Sequence, residues 1–343
     1  MRVLVTGLST YWGGRVALAL EQRPDVDCVV GVDTREPRVP LERTEFVKAD
    51  STHSILARIV AATQVDTIVH AHLIVDSTRA SSRTLHEINV IGTMNLLAAA
   101  GASGSPVRRL ILKSSGLVYG ADAPDPYFFR EDMGRSGPAR TNVERSLLEV
   151  EAFVRDFADD NPHVDVTLLR FANVLGDLDT PFAVALRRPV VPEIFGFDPR
   201  VQFVHADDVV AALMYAATND IPGVYNVSGD SNLPWSEVCT IVGKRRIALP
   251  FVLTGAAAAP MRRLGVWDLP AEVLRLLRFG RSVDNTRYKR AGFRYAYTTA
   301  GAVEAFAQGL RLAGTVGERD PSYRYERDVE DFFRHSPAVV RPE

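Results

Sequence analysis

Short runs of valine, leucine and isoleucine alternate with stretches of helical periodicity through the first two thirds of the chain. This alternation constrains the fold more than any other feature. "RVLVTG" precedes a helix over about 13–22, and "CVVGVD" follows it. "EFVKAD" leads into a helix over about 53–63 and then "TIVHAH". A helix over about 83–102 leads to "RRLILKSS", and one over about 141–160 leads to "VDVTLLRFANVLG". Strand–helix alternation gives parallel strands joined by right-handed crossovers, and strands apolar throughout need cover on both faces. The sequence therefore predicts an α/β fold built on a doubly wound parallel sheet of the dinucleotide-binding type.

The alternation weakens after residue 176, where prolines such as Pro189, Pro192, Pro199, Pro222, Pro250, Pro260 and Pro270 punctuate the chain. The expected organisation is a dinucleotide-binding domain over 1–176, with 200–230 returning to it. A smaller substrate subdomain takes 177–199 and 231–313, and a charged tail takes 314–343. Within the returning piece, "VQFVHADDVVAALMYAAT" reads as a strand of the main sheet followed by a helix.

Charge narrows the partners. The formal net charge of −2 offers no electrostatic footing for nucleic acid or an anionic membrane. Two distant cysteines, Cys28 and Cys239, give neither a zinc site nor a disulfide framework. No secretory leader and no uncharged apolar run of 18 residues is evident, so the expected compartment is the cytoplasm.

The first strand runs into "VTGLSTYWGG". Gly7 suits the tight turn after a strand, and Gly13 lets helix, strand and a ligand's pyrophosphate approach closely. Thr10 stands where a dinucleotide cradle has its middle glycine. Its hydroxyl could bond a phosphate; a plain strand–turn–helix without ligand is the competing reading. Tyr11 and Trp12 belong to the same candidate loop. Asp33 ends the second strand 20 residues after Gly13, where a carboxylate accepts ribose hydroxyls and favours NAD. Arg35 leaves NADP open. Asp50 and Ser51 close the third strand near the expected adenine, and His70 and His72 end the fourth.

Together these segments resemble the extended short-chain dehydrogenase/reductases, the NAD-dependent epimerase/dehydratase family, from residue 2 to about 310. "VTGLSTYWGG" is similar to TGxxGxxG, "NVIGTMNLLAAA" to NVxGTxNLLxAA, and "LKSSGLVYG" to SSxxVYG. "LLRFANVLG", "FVHADDVVAAL" and "GVYNVSGD" follow in the family's order. The resemblance implies NAD in the first domain and a nucleotide sugar or related alcohol between the domains. It matches Ser115 to the serine that bonds the reacting oxygen, Asn173 to a substrate contact, and His70 to a structural histidine. For Asn89, Asn226 and the Asp207–Asp208 pair a loop-fixing role is preferred. It also implies a homodimer through the helices at 83–102 and 141–160.

One motif of that pattern is missing. The family's chemistry uses a tyrosine and a lysine in YxxxK, the lysine lowering the pKa of the phenol. "ARTNVERSLLEVE" stands in that place, and alignment puts Thr141 at the tyrosine and Arg145 at the lysine. An alkyl hydroxyl is a far weaker acid than a phenol, and arginine keeps its proton. Tyr119, Tyr127, His72 and Lys113 are the remaining candidates. Two functions follow as expectations: an epimerase, dehydratase or reductase with a non-standard site, or a non-catalytic dinucleotide-binding sensor or assembly subunit. The apolar, arginine-bearing stretch 248–280 reads as helical cover for the subdomain in preference to a membrane contact.

Overall fold

The structure, a computed structural model, describes residues 1–50, 52–249 and 269–316, with side chains as far as residue 312. Ser51, most of the apolar stretch 248–280 and nearly all of the tail expected from 314 lie outside the described residues.

Seven strands form the central sheet: β1 (Arg2–Thr6), β2 (Cys28–Asp33), β3 (Thr44–Lys48), β4 (Thr67–His70), β5 (Arg109–Ser115), β6 (Asp165–Phe171) and β7 (Gly223–Val227). Their spatial order is β3-β2-β1-β4-β5-β6-β7, and each neighbouring pair is parallel. The strand order reverses between β1 and β4, so the carboxyl ends of these two strands flank the crevice where such sheets bind ligands.

Helices α1 (Tyr11–Glu21), α2 (His53–Thr63), α3 (82–100), α4 (Asn142–Asp160) and α5 (Ala206–Thr218) cover the sheet. One core joins α2, α3 and α4 to one face through Leu56, Leu96, Leu110, Leu112 and Leu147. A second joins α1 and α5 to the other face through Val3, Val5, Leu20, Ile111 and Leu213. The apolar residues of α4 explain its orientation: Val143, Leu147, Val150 and Val154 recur at helical spacing and all are buried. Within α3 the backbone is π-helical over His86–Ile91. There Asn89 turns inward, accepting from the Ile74 N–H at 2.8 Å and donating to the Ile74 carbonyl at 2.9 Å and Ser146 Oγ at 3.1 Å. It pins the loop after β4.

One expected strand lies elsewhere. Phe203–His205 does not enter the main sheet; it pairs with Asn173–Leu175, the continuation of the chain beyond β6. The strand that does return is β7, and α5 packs over the sheet between them. A third core, with Phe182, Phe203, Trp235, Leu276 and Phe306 at its centre, gathers the smaller subdomain. It includes helix Trp235–Val242, α6 (Ala271–Phe279) and α7 (Thr299–Val316). Among the described residues no helix is long and apolar enough to cross a membrane, and no group of His, Cys, Asp and Glu could hold a metal. Both cysteines are free thiols.

Candidate active site: a cofactor cleft at the switch point

The loop after β1 is built around two glycines. Gly7 adopts φ +75°, and a Cβ there would lie 2.7 Å from His72 Cβ. At Gly13 a Cβ would lie 2.1 Å from the Gly7 carbonyl oxygen, so only glycine lets α1 start this close to the turn. Thr10 is the N-cap of α1. Its Oγ1 donates to the Gly7 carbonyl at 2.7 Å and accepts from the Gly13 N–H at 3.1 Å. The threonine thus ties the loop shut internally where a glycine would leave the helix terminus bare. Tyr11 and Trp12 hold the first two helical positions, whose N–H groups have no intrahelical acceptor and point out of the helix end. The Tyr11 hydroxyl accepts from Arg15 at 2.6 Å, which fixes that ring at the rim.

Asp33 is buried at the end of β2. Its Oδ2 accepts from the N–H and hydroxyl of Ser9 at 2.9 and 2.8 Å, and Oδ1 accepts from the Arg35 N–H at 3.2 Å. Burial opposes its ionisation, but the Ser9 hydrogen bonds outweigh this and hold the carboxyl below its usual range. His72 packs beneath Gly7; burial pushes its imidazole down, Asp33 opposes and Arg35 adds to the shift. It lies within electrostatic reach of Asp33 and Arg35.

Ser9, Thr10, Tyr11, Trp12, Asp33, Arg35, Asp50 and His72 line a single cavity of about 920 Å³. It continues past Asp76 and Arg79 to Asp177, Leu178, Thr180 and Arg187, where the Arg79 guanidinium donates to the Asp179 carbonyl across the mouth. A trough with exposed helix N–H groups at its centre and a carboxylate at one end fits a dinucleotide.

His70 is not part of this lining. Its Nδ1 lies 2.6 Å from Thr6 Oγ1 and its Nε2 3.0 Å from Thr93 Oγ1, and burial depresses its pKa to about 3. With both nitrogens engaged by threonine hydroxyls inside the protein, His70 ties β1 and β4 to α3.

Ser115 and Asn173 also stand apart from the cavity. Ser115 Oγ accepts from the Leu117 N–H at 3.2 Å and caps the 3₁₀ turn Gly116–Tyr119. Asn173 Nδ2 donates to the Gln202 carbonyl at 3.1 Å. Above the turn, buried Arg281 donates to the Gly120 carbonyl at 3.0 Å. Arg275 pairs with Glu144 at 3.2 Å and also with Asp122. These contacts tie the subdomain to the turn after β5 and to the start of α4.

Thr141 and Arg145 do not form an inward pair. Thr141 is the N-cap of α4, outside the helix proper, and its Oγ1 accepts from the Glu144 N–H at 3.2 Å. Arg145 is exposed and donates to Asn142 Oδ1 at 3.0 Å. The residues four apart that α4 turns inward are Val143 and Leu147, both fully buried in the core. Helical periodicity of the apolar residues was the available signal; alignment by polar residue type hid it. Tyr119 is equally committed: its hydroxyl donates to Asn226 at 2.8 Å and accepts from Arg170 at 2.8 Å, and burial raises its pKa. Tyr127 is exposed, and its hydroxyl meets Ser282 Oγ at 3.1 Å. A buried Glu151 underlies this region, accepting from Ser114 at 2.6 Å and pairing with Arg170 at 2.6 Å.

Comparison with known proteins bears on this architecture. The model of the NAD dependent epimerase/dehydratase family matches residues 3–228. Uncharacterized protein Rv0501 of Mycobacterium tuberculosis is 34% identical over 326 residues, covering 93% of this chain and 86% of that protein. A UDP-glucose 4-epimerase of Erwinia amylovora is 32% identical over 189 residues, 51% of this chain and 54% of its own. Among solved structures, MoeE5 in complex with UDP-glucuronic acid and NAD superposes with a TM-score of 0.71 at 21% identity, over 91% of this chain and 100% of its own. UDP-glucose 4-epimerase of Thermotoga maritima with UDP-glucose gives 0.69 at 19% identity, over 91% and 99%.

Proposed function

Because the chain belongs to the NAD-dependent epimerase/dehydratase family, we propose that it binds NAD in the switch-point cavity and acts there on a nucleotide sugar or related alcohol. The observation that carries this reading is the joint placement of Tyr11, Trp12 and Asp33 along one cavity wall. The N–H groups of Tyr11 and Trp12 would hold the pyrophosphate, and Asp33 would accept the adenosine ribose hydroxyls on the lone pairs that Ser9 leaves free. When bound, the nicotinamide accepts and returns hydride. The partial match to the Erwinia UDP-glucose 4-epimerase and the UDP-sugar complexes of the structural neighbours support this substrate class.

The acid–base group is non-standard. Val143 and Leu147 cannot exchange a proton, and neither Thr141 nor Arg145 lines the cavity. This favours a second reading, a catalytically silent dinucleotide-binding sensor or assembly subunit. The family's helix pair supports a homodimer in either case: α3 and α4 expose a groove lined by Met94, Leu97, Phe153 and Phe157, with Met94 41% exposed.

Calorimetric titration of the purified chain with NAD(H) and NADP(H), after release of any co-purified dinucleotide, tests the cofactor assignment. NAD binding is expected in the wild type and at least about tenfold weaker in Asp33→Ala, which removes a charged hydrogen-bond acceptor. No binding by the wild type overturns the proposal. A screen of UDP-sugars then separates the two readings: turnover supports the enzyme, and its absence with intact NAD binding supports the sensor. The double variant T141Y/R145K is expected to leave activity unchanged, since neither position lines the cavity.

A further inference from the structure

Lys113 is the one lysine that the sheet itself carries into the interior. It lies on β5, on the same face as Ile111, and is 3% exposed. Its Nζ lies 5.0 Å from the ring centroid of Trp12 and 5.6 Å from that of Phe171. Among the described residues no carboxylate and no hydrogen-bond acceptor reaches the amine, and burial alone lowers its pKa to about 8. A buried ammonium without a counter-ion is a costly arrangement because its charge is stripped of water. Here the faces of Trp12 and Phe171 each offset a small part of that cost.

Sheet order indicates where this cation stands along the cleft. Asp33 ends β2 on one side of β1, while β4 and then β5 lie on the other. A dinucleotide that rests its ribose on Asp33 and its pyrophosphate on the start of α1 must therefore carry its second base towards β4 and β5. Trp12 links the two: it lines the cavity and it is the ring against which Lys113 packs.

We propose that Lys113 is a positioning residue at the redox end of the cleft, where its charge makes the protein prefer the reduced, neutral nicotinamide over the oxidised, cationic one. The proposal rests on the dinucleotide reading above. Two positive charges in a water-poor cleft repel through the medium and through Trp12, whereas the reduced ring carries no charge to repel. The lysine touches no reacting atom; it acts through the field it sets up.

The test is a pair of dissociation constants, for NAD⁺ and NADH, measured by calorimetry at pH 7 on the full chain. The wild type is expected to bind NADH more tightly. In Lys113→Met, which keeps the buried stem and removes the charge, the ratio of the two constants is expected to fall on the order of tenfold. Lys113→Gln provides an independent neutral variant, and Lys113→Arg, which keeps the charge, is expected to retain the wild-type ratio. A ratio unchanged within about twofold in folded neutral variants overturns this assignment alone. Failure of the wild type to bind either dinucleotide overturns both this assignment and the cofactor reading.

Discussion

His70 shows how one buried side chain sets the pH response of the fold. Its folded pKa of about 3 lies far below the ordinary value near 6.5. The imidazole is neutral in the folded protein and takes up a proton on unfolding. Its contribution is therefore fully present above about pH 6.5 and is lost as pH falls from there towards 3. Between pH 6.5 and 5 this residue alone is expected to cost about 2 kcal/mol of stability. Urea unfolding at the two pH values checks it, and His70→Asn should flatten the slope. Thr10 gives the second lesson at this scale. In sequence it is a missing glycine; in space it is a helix cap whose hydroxyl bonds both ends of the loop. The residue type allowed both readings, because a threonine before a helix and a threonine facing a phosphate have the same signature.

At the scale of elements, α4 matters most. Its hydrophobic periodicity fixes which face looks inward, and that face carries Val143 and Leu147. Glu151 continues it and anchors the helix to the sheet through Ser114 of β5 and Arg170 of β6. Both members of the Glu151–Arg170 pair are buried, so removing one charge strands the other. Glu151→Gln is expected to destabilise the chain by about 3–5 kcal/mol, read as a lower midpoint in urea unfolding. The strand at 203–205 illustrates the opposite limit. Its apolar run was legible, but its partner was not, since short parallel strands carry no mark of the sheet they join. The pairing with Asn173–Leu175 depends on where the chain goes after β6.

For the whole molecule, the outer face of α3 leaves Met94 41% exposed beside an apolar groove that Phe153 and Phe157 of α4 complete. If two copies associate there, Met94→Glu would place a charge in each half of the interface. Sedimentation velocity should then show a shift from dimer to monomer, and an unchanged dimer would rule this face out. The subdomain shapes the site by the same kind of long-range contact. Arg281, far from Gly120 in the chain, donates to its carbonyl at the end of the turn, and Arg275 pairs with Glu144 in the first turn of α4. The sequence by itself determined the doubly wound sheet, its switch point, and the loop from Gly7 to Gly13 with Asp33 beside it. Periodicity and glycine spacing are local properties, and local sterics and burial enforce them. Only the tertiary structure decided that His70 is held by Thr6 and Thr93, that Thr141 is a cap, that Ser115 caps the turn Gly116–Tyr119, and that Lys113 is a buried cation near Trp12. Those outcomes depend on which distant groups reach a given atom first, and hydrogen bonding and desolvation are settled only when the layers close on one another.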